Sequence, residues 1–445
     1  MKKISSFILS LLILFSLSVP ALGATTSKKL LPVEPRVKAK AAISYDLTNN
    51  EIILEKNMNE KMFPASITKL MTALLLAEHS DREDALKIGT EPLKQPSFAI
   101  NKNMYKLYKG DTITADAAMK AILLPSANDM AVVAAEHVGT TIEGFVQMMN
   151  EKAKELGMAS THFVNPSGLH DPEHYTTAYD LAKLAKAAYA NDWVREIIAT
   201  QTANIRTKNQ KIGDIKNSNQ LLGINGNVGG KTGFTPEAGR CLIGIYVRDG
   251  REVIQVLLND GTTSKSTLVF TDMAAMADEA YAMEKVAMVT KGTPVDSITA
   301  EYKLFRWFGP IKKVQIKAQI QDDLMLYNNT INNDSEGLTP SVKPLSNLDV
   351  FELNEGLPVA DITLVKGETT LTTKALSQTN TFDSIIMPNA VPYAGLAVGG
   401  LLAAALILFL IIRGLRSRKS TQHKIRSKRQ AKRRKTARTN FTDRI

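Results

Sequence analysis

Residues 64–72 read PASITKLMT, with a serine followed three residues later by a lysine, and this pair is the starting point for predicting the fold and its site. Pro64 and Ala65 precede Ser66, and the run that follows is a good helix former, so Ser66 is expected in the first turn of a helix. Residues three apart lie on one helix face, which brings the Lys69 amine beside the Ser66 hydroxyl. A lysine removed from water loses proton affinity and can act as a base toward serine. The stretch therefore predicts a nucleophile with its activator.

Two later stretches strengthen this prediction, since Ser-x-x-Lys alone is weak and a serine near a helix start is usually only a cap. LLPSANDMA places Ser126 and Asn128 where a loop enters a helix, so that a hydroxyl and an amide can face a substrate. VGGKTGFT places Lys231, Thr232 and Gly233 at the start of a strand region, where glycines let a ligand approach the backbone. A cap and a glycine-rich turn would explain each stretch separately, whereas the three together favour catalysis.

The three motifs, in this order, resemble those of the serine D-alanyl-D-alanine carboxypeptidases, the low-molecular-mass penicillin-binding proteins. The resemblance extends through PASITKLMTALL, THFVNPSGLHDPEHYTTAYDLAKLA, GGKTGFTPEAGRCL and FTDMAAMADEAY. It is strong over about residues 35–285 and looser beyond them. It implies an α+β fold of the β-lactamase and transpeptidase type, with helices flanking an antiparallel sheet, followed by a small all-β domain and a C-terminal transmembrane helix.

The resemblance also implies catalytic roles. Ser66 would attack the carbonyl between the two terminal D-alanines of a peptidoglycan stem peptide, release D-alanine and remain as an acyl-enzyme. Lys69 would take the serine proton, and Ser126 would pass a proton to the leaving amine. The backbone N–H groups of Ser66 and Phe234 would form the oxyanion hole.

The remaining motif residues would bind the substrate in this resemblance. Lys231 and Thr232 would hold the terminal carboxylate, beside Gly233, and Asn128 would offer its amide. The expected partners are peptidoglycan stem peptides and β-lactam antibiotics, which would acylate the same serine. No cofactor and no metal ion are implied.

Several enzymes share these motifs, so alternatives stay open. A class A β-lactamase carries Ser-Asp-Asn and a deacylating Glu-x-x-Leu-Asn loop, whereas this chain has Ser-Ala-Asn and no such loop between residues 129 and 230. A β-lactam is therefore expected to inhibit rather than to be turned over. A D,D-endopeptidase can use the same motifs on the same polymer, and the sequence does not separate it from a carboxypeptidase. A Ser-x-x-Lys glutaminase and a non-catalytic wall-binding scaffold are the less favoured alternatives.

Two other stretches carry reactive residue types. HDPEH, residues 170–174, has two histidines and two acids, but His-x-x-x-His needs a helix to converge on a metal, and Pro172 disfavours one. Cys241, the single cysteine, lies in GRCLIGIYV, which is typical of a buried strand. We therefore expect a loop and a core residue there, with neither a metal site, a thiol nucleophile nor an intrachain disulfide.

The N-terminal half of the chain divides into a leader and a domain. Residues 1–23 have a basic start, an apolar run and a small-residue end, as in a secretory signal peptide, and the run is short for the alternative of an uncleaved anchor. Residues 24–285 form the predicted peptidase domain. It has hairpins at both ends whose strands share a sheet, and FTDMAAMADEAYAMEKVA closes it as a helix.

A small β-rich domain is predicted over residues 291–385. KVQIKAQI alternates apolar and polar residues strictly, and VADITLVKGETTLTTKAL has the pattern of a hairpin that turns at Lys366, Gly367 and Glu368. Nothing in this region is typical of catalysis. A spacer or docking role is the expectation.

A membrane anchor and a basic tail end the chain. Residues 393–412 carry no charge and would reach ~30 Å as a helix, the thickness of a bilayer core. Residues 413–445 hold fourteen Lys or Arg against one acid, Asp443. Basic residues beside a span favour the cytoplasmic side, so a single-pass cell-membrane protein with an extracytoplasmic catalytic domain is predicted. Membrane lipid explains the tail better than nucleic acid, which is not an expected partner; a cytoplasmic protein partner remains open.

Overall fold

The structure is a computed structural model that describes residues 33–96, 98–333 and 339–442. The predicted signal peptide lies outside the described residues. The chain forms two compact units. The first comprises the described residues up to Val286, the described part of Leu326–Ser335, and Gly367–Thr369. The second comprises Ala287–Met325, the described part of Glu336–Lys366, and the described residues from Thr370 onward.

The strands are numbered in chain order over the described residues. They are β1 (Ala41–Asp46), β2 (Glu51–Lys56), β3 (Ala85–Lys87), β4 (Thr112–Thr114), β5 (Thr202–Arg206), β6 (Lys211–Lys216), β7 (Asn227–Thr235), β8 (Gly239–Arg248), β9 (Arg251–Leu258), β10 (Lys285–Val289), β11 (Pro294–Lys303), β12 (Ile311–Ile320), β13 (Leu324–Tyr327), β14 (Ser341–Pro344), β15 (Pro358–Lys366) and β16 (Thr369–Ser377).

The α-helices are numbered in the same way. They are α1 (Lys69–His79), α2 (Ile100–Asn103), α3 (Ala115–Leu123), α4 (Asn128–Gly139), α5 (Ile142–Glu155), α6 (Ala178–Ala190), α7 (Asp192–Ile198), α8 (Leu268–Ala282), α9 (Thr330–Asn333) and α10 (Ala390–Thr442). Short 3₁₀ or π turns occupy Ala65–Thr68, Pro92–Lys94, Val350–Glu352, Phe382–Ile386 and Met387–Asn389.

The first unit is built on a five-stranded antiparallel sheet in the order β2-β1-β9-β8-β7. The two terminal hairpins therefore share one sheet, as predicted, and Ile43 of β1 faces Val256 of β9 across the ladder. Successive residues of β1 point to opposite faces of the sheet, each covered by its own hydrophobic core. Ile43 packs with the helices α1 and α3 to α7, whereas Ala42 packs with α8. Because side chains alternate across a strand, the sheet is covered on both faces, which explains why every residue of β1 is buried.

Helix α1 runs through the middle of this unit. Residues 69–76 are all buried, so the helix is surrounded by protein rather than presenting one wet face. Leucine, alanine and methionine supply its helix propensity and its packing surface. Lys69, the first residue of the helix, therefore lies inside the core.

The second unit holds a five-stranded sheet in the order β11-β12-β16-β15-β14. The predicted alternation in β12 is present, since Val314, Ile316, Ala318 and Ile320 are buried between mostly exposed residues. The hairpin turn also falls where the sequence predicts it, because β15 ends at Lys366 and β16 begins at Thr369.

Two predicted helices have different bounds. Helix α8 ends at Ala282, because Met283 is extended, and Lys285–Val289 is strand rather than the last helical turn. Helix α10 begins before residue 393 and continues through the basic tail, which is rich in Arg, Lys and Gln, all good helix formers. Within the described residues, this helix alone is long and apolar enough to cross a membrane.

The central strand gives a test of this packing. Ile43→Ala deletes a fully buried side chain and is expected to lower the free energy of unfolding by about 2–5 kcal/mol. Ile224→Ala makes the same chemical change at a position that is 49% exposed, with an expected cost below about 0.5 kcal/mol. Urea unfolding followed by the fluorescence of Trp193, in a Trp307→Phe background, measures both. Equal costs would contradict the core described here.

Candidate active site

The stretch PASITKLMT folds as a turn followed by a helix. Ser66 lies in the 3₁₀ turn Ala65–Thr68, and α1 begins at Lys69, so the serine precedes the α-helix rather than occupying its first turn. A 3₁₀ turn aligns residues i and i+3 closely, and Lys69 Nζ lies 2.9 Å from Ser66 Oγ. Ala65 has a left-handed backbone (φ 47°), a strained conformation of the kind that clusters at functional sites.

Two further acceptors hold the Lys69 amine. Lys69 Nζ donates to Asn128 Oδ1 and to the Ser167 carbonyl, both at 2.7 Å. An amide oxygen and a carbonyl oxygen can only accept, whereas the Ser66 hydroxyl can also donate. In its neutral form, the Lys69 amine therefore donates its two N–H groups to Asn128 and Ser167, and its lone pair faces the Ser66 hydroxyl. The geometry suits transfer of the serine proton to Lys69.

Burial of Lys69 favours the neutral form of its amine. The Lys69 side chain is fully buried, and this desolvation lowers its pKa well below the ordinary lysine value. The positive charge of Lys231 lowers the pKa further, while Asp129 opposes the change. Desolvation is the dominant cause, so the effect depends on α1 staying in the core.

A second buried lysine lies on the facing strand. Lys231 Nζ donates to Ser126 Oγ and to the Thr232 carbonyl, both at 2.9 Å. Burial, with a smaller contribution from Arg240, lowers the pKa of Lys231 to about 7. Ser126, in the loop between α3 and α4, has a left-handed backbone (φ 70°). The second and third motifs thus meet through one hydrogen bond.

Strand β7 brings the rest of the third motif to the nucleophile. Ser218 Oγ and Thr232 Oγ1 lie 2.6 Å apart and share a hydrogen bond. A Cβ on Gly233 would lie 3.2 Å from the Ser66 backbone nitrogen, so the absence of a side chain lets β7 lie against the serine turn. Phe234 follows in the same strand, paired with Arg240 of β8. All eight residues singled out from the motifs belong to this one region of the first unit.

The loop after α5 contributes a group that the motifs do not contain. Asn165 Oδ1 accepts hydrogen bonds from the backbone nitrogens of Ser167, Gly168 and Leu169, which folds the loop so that the Ser167 carbonyl faces Lys69. Gly168 has φ 78°, and a Cβ there would lie 1.8 Å from the Ala65 carbonyl oxygen. The sequence Asn-Pro-Ser-Gly signals a turn, but it carries no sign that a backbone carbonyl joins the site.

The stretch HDPEH contributes His174, which contacts the 3₁₀ turn that holds Ser66. The backbone nitrogen of Val164 donates to His174 Nδ1 at 3.1 Å, so Nε2 carries the proton and donates to Thr68 Oγ1 at 2.9 Å. Burial lowers the pKa of His174 to about 4, which leaves the ring uncharged at neutral pH. Both ring nitrogens of this histidine are thus engaged with protein atoms, and one of them tethers the turn that holds Ser66.

Cys241 is a core residue, as its strand context predicts. It lies in β8 with no exposed surface, and burial raises the pKa of its thiol to about 12. A thiol that remains protonated is a poor nucleophile.

Comparison with known proteins agrees with the fold and the motifs. The chain is 30% identical over 282 residues to D-alanyl-D-alanine carboxypeptidase DacF of Bacillus subtilis, covering 63% of this chain and 72% of that protein. A D-alanyl-D-alanine endopeptidase of Haemophilus influenzae is 32% identical over 208 residues, 46% of this chain and 69% of that protein. The crystal structure of the Streptomyces K15 DD-transpeptidase is similar with a TM-score of 0.52 at 26% identity, over 56% of this chain and 99% of that chain.

The structural similarity shows that the chain has the fold of the DD-peptidases and penicillin-binding proteins, which confirms the fold predicted from the sequence. Residues 28–262 match the model of the family described as D-alanyl-D-alanine carboxypeptidase. The chain belongs to the D-alanyl-D-alanine carboxypeptidase family, which confirms the resemblance drawn from the three motifs.

The close contact of Gly168 can be tested directly. Gly168→Ala must push the serine turn away from the Asn165 loop, and a displacement of about 1 Å can cost on the order of 10²-fold in rate. The second-order rate of covalent labelling by a fluorescent penicillin measures the loss. Gly110→Ala is the matched control, since Gly110 also has a left-handed backbone (φ 86°) but has open space around its Cβ position. Similar losses in the two variants would contradict this role.

Proposed function

We propose that this protein is a serine D,D-carboxypeptidase that removes the terminal D-alanine from peptidoglycan stem pentapeptides through an acyl-enzyme on Ser66, and that β-lactams inhibit it covalently. The observation that carries the proposal is the buried Lys69 amine, 2.9 Å from Ser66 Oγ and hydrogen bonded to two oxygens that can only accept. Membership of the D-alanyl-D-alanine carboxypeptidase family supports the substrate class.

Acylation begins with the neutral form of Lys69. As Ser66 Oγ attacks the carbonyl between the two D-alanines, its proton passes to Lys69 Nζ, and the resulting ammonium finds three acceptors already in place. The negative charge on the carbonyl oxygen is stabilised by the backbone N–H groups of Ser66 and Phe234 in this proposal. The approach of β7 to the serine turn at Gly233 supports this pairing of donors.

Residues of β7 and of the loop between α3 and α4 bind the substrate carboxylate and protonate the leaving amine in this proposal. Lys231 in its charged form, with Thr232, binds the terminal carboxylate, and Asn128 contributes its amide to the substrate side of the site. Ser126 passes its proton to the leaving D-alanine nitrogen, and the charged Lys231, which donates to Ser126 Oγ, replaces that proton. Its hydrogen bond to Lys231 at 2.9 Å links it to a group whose pKa is about 7, so the serine is part of a proton route at neutral pH.

The partners of Lys69 also explain why a β-lactam acts as an inhibitor in this proposal. In the part of the chain that the structure describes, Lys69 Nζ bonds to a hydroxyl, an amide oxygen and the carbonyl of Ser167, and none of these is a carboxylate. A class A β-lactamase uses a glutamate to activate the deacylating water. The lack of a carboxylate among the described hydrogen-bond partners of Lys69 supports slow hydrolysis of the penicilloyl-enzyme.

The protein is anchored in the cell membrane by α10, its catalytic domain is extracytoplasmic, and its C-terminus is cytoplasmic. The apolar run in α10 supports the span, and the basic residues after it favour the cytoplasmic side and attract anionic lipid headgroups.

A D,D-endopeptidase is the second candidate, because a relative with that name is 32% identical to this chain. An endopeptidase would cleave the crosslink between two stem peptides with the same nucleophile. Crosslinked muropeptides and linear pentapeptides offered separately to the purified protein distinguish the two activities.

Loss of the nucleophile gives the first test. Ser66→Ala is expected to lower the rate of D-alanine release from diacyl-L-lysyl-D-alanyl-D-alanine by on the order of 10⁴–10⁶-fold, because residual catalysis comes only from binding and oxyanion stabilisation. Ser341→Ala, a like change at an exposed serine of the second unit, is the control and retains full activity. Undiminished release from the Ser66 variant would end the proposal.

The pH dependence gives the second test. Lys231 must be charged to bind a carboxylate, so kcat/KM is expected to fall as the pH rises through about 7, the pKa of Lys231. Toward lower pH, kcat/KM falls as Lys69 becomes protonated. Lys231→Arg keeps its charge at all these pH values and should lose the basic limb. A basic limb unchanged in the arginine variant would assign it to another group.

A further inference from the structure

The loop between β11 and β12 exposes large apolar side chains. We call residues 304–310, LFRWFGP, the aromatic tip. Trp307 is 77% exposed and Phe308 is 55% exposed, and Ile311, the next residue after the tip, is 66% exposed. Contiguous exposed apolar residues of this size mark an interaction surface on a folded domain.

The aromatic tip has a defined conformation. The Leu304 nitrogen donates to the Pro310 carbonyl at 3.0 Å, and the Phe305 nitrogen donates to the Phe308 carbonyl at 3.1 Å. The rings of Phe305 and Phe308 stack with their centroids 5.1 Å apart. Trp307 and Phe308 are therefore held outward by the backbone of the tip, and their exposure is built into the hairpin.

The tip lies against the start of the apolar part of α10. The ring of Phe305 meets the ring of Tyr393 edge-on at 5.7 Å, and Tyr393 Oη donates to the Leu304 carbonyl at 2.5 Å. Tyr393 is the first residue of the uncharged run 393–412. Asn389, just before it, accepts from Lys312 Nζ at 2.5 Å and donates to Tyr302 Oη at 3.0 Å. The hairpin is thus fixed to the helix at the level where the apolar run begins.

The charges around the tip fit a membrane surface. Lys303, Lys312 and Lys313 are exposed on the two strands that lead into the tip, although Lys312 Nζ also donates to Asn389 and Lys313 Nζ lies 3.4 Å from a Glu301 carboxylate oxygen. Tryptophan and tyrosine prefer the boundary between headgroups and acyl chains, and lysines beside them can reach the phosphates. Arg306, at the tip itself, is paired with Asp349 and Glu352, both at 2.7 Å, so its charge is already balanced by protein carboxylates.

We propose that the aromatic tip inserts into the headgroup–acyl boundary of the bilayer that α10 crosses, giving the second unit a second point of attachment to the membrane. The inference rests on α10 being a membrane span. The aromatic tip contacts lipid rather than a protein partner, because it lies against the apolar start of α10 and is joined to that helix by Tyr393. A unit held at two points cannot swing freely about the helix.

The chain supplies its own probe, since Trp193 and Trp307 are its only tryptophans. Full-length Trp193→Phe protein is reconstituted into phosphatidylcholine and phosphatidylglycerol vesicles whose acyl chains are brominated near the headgroup or near the methyl end. We expect bromines near the headgroup to remove most of the Trp307 emission, deep bromines to remove less, and aqueous iodide to have little effect.

A matched control places tryptophan at the far end of the same sheet. Strand β12 pairs with the last residues of β16, Ala318 with Ser377 and Ile320 with Ala375, so the turn after Val365 lies beyond the end of β12 opposite the tip. That end is on the order of 30 Å from Ile311 along the strand. In Trp193→Phe/Trp307→Phe/Val365→Trp, the new tryptophan should respond to iodide and not to brominated lipid.

Vesicle flotation separates failure of the inference from failure of the span. Protein that does not float with the vesicles would overturn the membrane span and the inference with it. Protein that floats, with Trp307 open to iodide and unaffected by brominated lipid, would overturn the inference alone. Trp307 shielded from both quenchers in floating protein would assign the tip to a protein contact and would also overturn it.

Discussion

Removal of the Lys69 amine from water is the constraint on which the rest of the site depends. A lysine at the first position of a helix would normally reach solvent, yet α1 is buried on all sides and its amine is enclosed by Ser66, Asn128 and Ser167. Burying a charge without a full counter-charge is costly, and this desolvation lowers the pKa of Lys69 well below the ordinary lysine value. In the function proposed above, the same desolvation lets Lys69 act as the base toward Ser66.

The surrounding elements are arranged to keep that environment. Gly233 lets β7 lie against one side of the serine turn, where a Cβ would be a tight fit at 3.2 Å from the Ser66 nitrogen. Gly168 lets the Asn165 loop close the other side, where a Cβ would lie 1.8 Å from the Ala65 carbonyl oxygen and has no room. His174 tethers Thr68 from below while remaining uncharged. A second buried lysine, Lys231, repels a proton on Lys69, so the two amines are coupled and one charge is easier to hold than two.

Much of this could be predicted from the sequence, because the elements concerned have strong local patterns. The hairpin of β1 and β2 and the alternation in β12 agree with the structure, because turn residues and side-chain period determine them. The structure also brings the residues of the three motifs into one region. The left-handed Ala65 and the Ser167 carbonyl were not predictable. A strained backbone and a main-chain oxygen depend on tertiary packing, and residue identity does not encode them.

The helix bounds show the same limit. The end of α8 at Ala282 and the strand Lys285–Val289 follow a sequence that would also suit a continued helix, and tertiary pairing decided between them. Likewise, the joining of the described part of Leu326–Ser335 to the first unit has no signal in the local pattern, since Tyr327 Oη reaches Asp46 across 281 positions of sequence.

The most direct measurement of the central claim is the titration of Lys69 itself. In protein labelled with ¹³C at the lysine ε-carbon, the Lys69 resonance can be assigned by its loss in Lys69→Arg and followed with pH by NMR. We expect Lys69 to titrate well below the roughly 10.4 of an exposed lysine, so that its amine becomes neutral while surface lysines remain charged. A Lys69 resonance that titrates together with the surface lysines would contradict the account.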